Sequence, residues 1–231
     1  MIRAALLLIL AGLAMPAAHS APAPAPATAV DWSRTVVQTP EGGFRMGNPN
    51  ARVKLVEYGS LTCGHCAAFA RSGMATLVGT YVKSGKVSYE YRNYVLNGLD
   101  VAASLVARCG GAARFFPVAD KLYATQPQWM GRLSALSPAQ KAQLSALPET
   151  ARLGRLAETV GLVQLAAQHG VAPVQARRCL ADQAALDRLG RMAEAAQMQG
   201  VSGTPTFFLN GANIGIHSWT TLELILRESA G

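Results

Sequence analysis

Cys63-Gly64-His65-Cys66 places two thiols either side of a two-residue spacer, and that spacing suits a disulfide that opens and closes. The motif follows an apolar run over residues 53–58 and precedes a helix-like stretch over 67–83. With Cys63 in the first turn of a helix, unpaired backbone N–H groups and the positive end of the helix dipole favour its thiolate. Cys66 then stands one turn further in, close enough to complete a small disulfide ring. The chemistry indicated is thiol–disulfide exchange. Zinc is the competing reading, but a structural zinc site takes four ligands, usually with a second close pair of Cys or His. Cys109 and Cys179 stand alone and far apart. A c-type haem needs His directly after the second cysteine; Ala67 is there instead.

The beginning of the chain supports an oxidising compartment. Met1-Ile2-Arg3 is a short positive region, residues 4–14 are apolar, and Ala18-His19-Ser20 is a small-residue cleavage site. Residues 1–20 therefore read as an export signal, too short in its apolar part to span a bilayer comfortably. No cysteine lies near the cut to carry a lipid anchor. The mature protein is expected to be soluble and periplasmic, where disulfides persist. Residues 21–31 begin as an Ala-Pro alternation, a semi-extended tether. About 200 residues remain, enough for one core carrying an inserted subdomain. The net charge of +8 raises nucleic acid as a partner. However, Lys and Arg never run longer than two together, so a solvated basic surface is expected and no nucleic acid.

The elements that must position the motif are αβ in character at both ends. Residues 35–46 suggest a hairpin around Gly42-Gly43. Gly47-Asn48-Pro49-Asn50 turns the chain into the strand that delivers Cys63. Beyond the motif, Cys66, Phe69, Ala70, Gly73, Leu77 and Tyr81 recur at helical spacing, and residues 86–95 alternate as a strand. Residues 32–99 form this first half. Residues 100–199 read as helix almost throughout: 100–108, 113–124, a loop holding Pro127 and Trp129, a short helix capped by Ser137-Pro138, then 150–168, 173–180 and 182–198. Residues 200–231 return to sheet, with a strand over 206–209, a tight turn at Asn210-Gly211, a partner strand and a terminal helix.

Four stretches together resemble DsbA-type periplasmic thiol–disulfide oxidoreductases of the thioredoxin superfamily. They are Gly47-Asn48-Pro49; Val56-Glu57-Tyr58-Gly59-Ser60-Leu61-Thr62 running into the Cys63–Cys66 motif; Tyr91-Arg92-Asn93-Tyr94-Val95-Leu96; and Val201-Ser202-Gly203-Thr204-Pro205-Thr206-Phe207-Phe208. The resemblance implies an α/β thioredoxin fold with an inserted helical subdomain. It implies a cis Thr204–Pro205 bond that turns the Thr204 backbone towards a substrate chain beside Cys63. His65 would favour the Cys63 thiolate, and Glu57 would assist proton transfer beneath Cys66; a structural pairing of Glu57 with Lys54 or Arg92 is the alternative. Gly64 departs from the Pro of the strongest oxidases, and the Gly-His pair is similar to that of eukaryotic protein disulfide isomerase. Some members carry a second disulfide in the helical insertion, so Cys109 and Cys179 are expected to pair; inert buried thiols are the other reading. His169 and His217 carry no partner pattern.

The function implied is a monomeric disulfide oxidase, without a cofactor, acting on reduced exported proteins and reoxidised by a quinone-linked membrane partner. An isomerase or reductase working through the same cysteines is the nearer alternative. A copper or zinc carrier, with Met198 or His217 as an added ligand, is the remoter one.

Overall fold

A computed structural model describes residues 30–231; the expected signal and all but the end of the tether lie outside the described residues. Strand β3 (Val53–Gly59) is central to a six-stranded sheet ordered β1-β2-β4-β3-β5-β6. It pairs in parallel with β4 (Val87–Asn93) and antiparallel with β5 (Thr206–Leu209). The remaining strands are antiparallel: β1 (Val36–Gln38) and β2 (Phe44–Met46) beside β4, and β6 (Ala212–Gly215) beyond β5. The expected hairpin at Asn210-Gly211 is present, with both residues at positive φ.

The period of two along β3 assigns its faces. Val53, Leu55 and Glu57 turn into the main core, which also holds residues of α1 (Gly64–Thr76), α3 (Ala112–Ala124) and α10 (Trp219–Ala230). Val56 and Tyr58 turn to the opposite face, against Phe208 and Ala196 of α9 (Gln183–Met198). Phe115 and Phe116 of α3 lie on Phe44, Tyr89 and Tyr91 of the sheet, an aromatic layer that seats the helices. Gly59 ends β3 where a Cβ would come within 2.5 Å of the Tyr91 ring, so the sheet closes here only around glycine.

Between β4 and β5 stand α2 (Gly98–Arg108), α3, α4 (Gln126–Ser134), α5 (Pro138–Ser145), α6 (Glu149–Val160), α7 (Leu162–Ala167), α8 (Pro173–Leu180) and α9. Three local expectations change. The segment holding Pro127 and Trp129 is the helix α4, because Pro sits in its first turn, where no N–H is needed, and the Trp129 Nε1–H donates to Leu122 O at 2.9 Å. The helix expected over 150–168 is cut in two by Gly161, at φ 80°. The helix after the motif does not run uniformly to residue 83: residues Leu77–Val82 widen into a π-helical turn, with Lys83 N–H reaching Val78 O at 2.9 Å.

Cys109, capping the end of α2, and Cys179, in α8, form a disulfide with Cα atoms 5.8 Å apart, and both residues are half-buried. It ties the layer across a sequence separation of 70 residues. Closing a loop of that size removes roughly 4 kcal/mol of unfolded-state entropy. The double replacement Cys109→Ala/Cys179→Ala is expected to lower the melting temperature by about 10 °C, read by circular dichroism, while the fold persists.

Candidate active site

Cys63 is the N-cap of α1, with extended backbone, and its sulfur accepts from the Cys66 N–H at 3.5 Å. The same sulfur lies 3.3 Å from Thr204 O, to which its thiol donates. The Thr204–Pro205 bond is cis, and both residues are buried. Thiolate formation is strongly favoured here, and the Cys63 pKa falls to about 5. The largest cause is a hydrogen bond from the Cys66 side chain, opposed by partial burial; the Thr204 side chain and the backbone N–H groups of Cys66 and His65 add to it. His65 itself is exposed, and it is its backbone N–H that favours the thiolate.

Cys66 experiences the opposite environment. It is fully buried at the third position of the helix, and burial pushes its thiol well above the ordinary value, helped by the hydrogen bond to Cys63 and the nearby Glu57 carboxylate. The two sulfurs of one motif thus differ sharply in acidity: the outer is a thiolate and the inner a thiol at neutral pH.

Glu57 lies buried beneath them, 1% exposed, and burial raises its carboxyl to about 8. The Tyr89 hydroxyl donates to Glu57 Oε2 at 2.5 Å and holds that value down, while a charge on Cys63 raises it. Neither Lys54 nor Arg92 is the partner. Lys54 is exposed, three residues before Glu57 on β3 and so on its other face. Arg92 is in register with Tyr58 and binds Glu90 through Nε at 2.7 Å. Tyr89 takes their place because its register puts it beside Leu55, on the same face.

Two further residues brace the motif. Gln126 of α4 donates through Nε2 to Leu61 O at 2.9 Å and to Cys63 O at 3.0 Å. Asp100 of α2 accepts from the Leu61 N–H at 2.9 Å and the Leu96 N–H at 3.0 Å, pinning the turn before Cys63 to the loop after β4. Its carboxyl is raised to about 6 by burial, against hydrogen bonds from Ser60, Leu96 and Leu61. Neither was singled out from the sequence as a site residue. Asp100 offered one signal, a carboxylate leading into an otherwise largely apolar run; Gln126, between Thr125 and Pro127, offered none. The His217 ring is bonded to Ile214 O at 2.6 Å.

A family profile described as Thioredoxin matches residues 39–228, and the chain belongs to that family, with the fold of its DsbA-type members. The crystal structure of a protein-disulfide isomerase from Novosphingobium aromaticivorans superposes with a TM-score of 0.76 at 30% identity, covering 81% of this chain and 96% of that one. Wolbachia pipientis alpha-DsbA1 shares the fold with a TM-score of 0.62 at 20% identity, over 84% of this chain and 94% of its own. A Rickettsia bellii protein, named as a candidate protein-disulfide oxidoreductase, is 27% identical over 191 residues, which are 82% of this chain. The chain spans only 65% of that relative's length and 59% of that of the corresponding Rickettsia conorii protein.

Two measurements check the electrostatics. The thiolate ultraviolet absorbance of the reduced protein should titrate with a midpoint of about 5, and alkylation of Cys63 by iodoacetamide should rise through the same range and then level off. Glu57 generates a separate dependence. Its folded pKa lies above its unfolded value, so its contribution to stability is full below pH 4.5 and is lost as pH rises to about 8. Glu57→Gln should therefore gain stability relative to the parent across that window, as read from urea unfolding at its two ends.

Proposed function

We propose that the protein is a periplasmic disulfide oxidase acting on reduced exported polypeptides. The observation that carries the reading is the split between the two sulfurs. A dithiol whose outer member is held as thiolate stabilises the reduced protein, which makes the corresponding disulfide a strong oxidant. The first step is attack by a substrate thiolate on the Sγ of Cys63. The Cys63–Cys66 bond breaks, a mixed disulfide forms, and Cys66 leaves and takes a proton from Glu57. A second substrate thiolate then attacks the substrate sulfur of the mixed disulfide, and Cys63 leaves as its stabilised thiolate. The substrate dithiol loses two electrons and the enzyme gains them.

Sequence-tolerant binding fits the surroundings of Cys63. The Thr204 carbonyl lies against the sulfur, where its backbone can offer main-chain pairing to an extended peptide. Leu96 and Ile216 are exposed apolar side chains at 50% and 62%; Leu96 is anchored by Asp100 and Ile216 stands beside Gly203. Turnover needs a reoxidising partner, for which a quinone-linked membrane protein is the reading. Among the described residues no helix is long and apolar enough to cross a membrane, and the expected signal accounts for export.

A second reading is isomerase or reductase duty. The likeness to the Novosphingobium protein-disulfide isomerase and the Gly64-His65 pair favour it, and the same Glu57 would then accept the proton of Cys66 as it attacks. The reduction potential of the Cys63–Cys66 couple, equilibrated with glutathione, separates the two. A value near about −120 mV is expected for the oxidase, whereas about −180 mV or lower indicates the isomerase or reductase. Absence of a reversible two-electron transition would overturn both.

A further inference from the structure

Every turn of the exchange reaction moves a proton on or off Cys66, and the structure gives that proton no open route on the substrate side. Cys66 and Glu57 are at most 1% exposed, and in the mixed disulfide Cys63 and the substrate cover them. The other side of Glu57 is different. Glu57 lines a small internal cavity, about 10 Å³ to the centre of a water molecule, together with Tyr89, Met74, Tyr123 and Asp120. That is the least space that holds one water, and Glu57, Tyr89, Tyr123 and Asp120 supply polar partners for it. Met74, Ala70, Tyr123 and Asp120 also line a surface groove of about 500 Å³ between α1 and α3. Asp120 is therefore the carboxylate common to the inner cavity and the outer groove.

We propose that Asp120 is the outer station of a proton path joining Glu57 to solvent through the groove between α1 and α3. The inference rests on dithiol–disulfide exchange at Cys63 and Cys66, and on neither direction of it. In the step that opens the disulfide, the O–H bond of Glu57 breaks and the S–H bond of Cys66 forms. Glu57 regains its proton from the cavity side, and Asp120 replaces it from bulk water. In the reverse direction each transfer runs backwards, and no electrons pass along the path.

The surroundings of Asp120 suit this use. It is reached by solvent, and among the described residues it belongs to no ion pair. Desolvation on the side packed towards the core raises its carboxyl to about 6, within exchange range of neutral water, while the residue stays exposed. The titratable groups that share the cavity or the groove with it are Arg71 from α1, Tyr123 from its own helix, Tyr89 and Tyr91 from β4, and Glu57 from β3. Met46 of β2 and Val78 and Gly79 of the π-helical turn bring no charge. The charge of Asp120 is felt at the Tyr89 phenol, whose hydroxyl donates to Glu57. The phenol holds its proton too tightly to ionise, so it orients Glu57 without interrupting the path.

The test is rapid-mixing kinetics of mixed-disulfide formation and resolution on the full chain, as a function of pH, with a model dithiol peptide. Asp120→Asn is expected to slow mixed-disulfide formation about tenfold and to remove one ionisation from its pH profile, while resolution by the second substrate thiolate, which moves no proton at Cys66, stays at the parent rate. Alkylation of Cys63 by iodoacetamide, which needs no proton at Cys66, should be unchanged and reports an intact site. Asp120→Glu, or formate added to Asp120→Ala, should restore the rate. Glu57→Gln/Asp120→Asn should be no slower than Glu57→Gln alone. A parent-like formation rate and profile in Asp120→Asn overturn the proposal, as does a loss that neither Glu nor formate repairs. Glu57→Gln without effect would instead remove the role of Glu57 itself, and the path with it.

Discussion

The difference in acidity between two sulfurs of one helical turn is the constraint around which the rest is arranged. A pair of ordinary thiols would hold no stabilised thiolate to favour the reduced state and make the disulfide oxidising. Here Cys63, at the helix N-cap, has hydrogen bonds from the Cys66 side chain and from backbone N–H groups, and Cys66 has the apolar interior. Each sulfur needs the other's environment to be as it is, since the thiol that favours the Cys63 thiolate can donate only while burial keeps it protonated. Glu57 completes the set as a carboxyl held near neutrality by the same burial. Its value falls when the charge on Cys63 disappears into a mixed disulfide, so the acid and its sulfur change state together.

Holding this arrangement requires more than the strand and the helix that meet at the motif. The turn between them is gripped from the helical layer, by Gln126 on two carbonyls and by Asp100 on a backbone N–H. Tyr123, also from that layer, donates to Ser60 O at 3.1 Å and meets Tyr91 across 2.8 Å. The layer is a structural wall of the site as well as a cover for the sheet.

Much of this was legible in the sequence, and the rest was hidden for definite reasons. The Cys63–Cys66 spacing, the strand before it and the Asn210-Gly211 turn are local signals, and the thioredoxin fold with its helical layer follows from them and the family stretches. Partners across the sheet are not local. Tyr89 beside Glu57 depends on the register of β3 against β4, which no spacing along the chain specifies. The parity of Lys54 against Glu57 could have excluded that pair, whereas Arg92 could be excluded only once the register was known. Trp129 and Pro127 read as a loop because Pro usually breaks a helix; the contrary signal is that Pro begins one equally well. Gln126 and Asp100 carry no motif, and their part is apparent only when α2 and α4 are folded against the turn.

Strand β3 is joined to β4 across a short helical crossover, but to β5 only after the whole helical layer has been made. The Cys63 sulfur and the Thr204 carbonyl it meets are 141 positions apart in the chain. Contacts of such separation are slow to form, because closure entropy must be met before they reward it. A growing chain therefore carries Cys63 and Cys66 for most of its synthesis without the strand and loop that complete their surroundings. Until β5 docks, the Thr204 side chain and the full enclosure of Cys66 are missing, and the contrast between the two thiols is incomplete. The full contrast in acidity between the two sulfurs arrives at the end of folding, with the closing of the sheet.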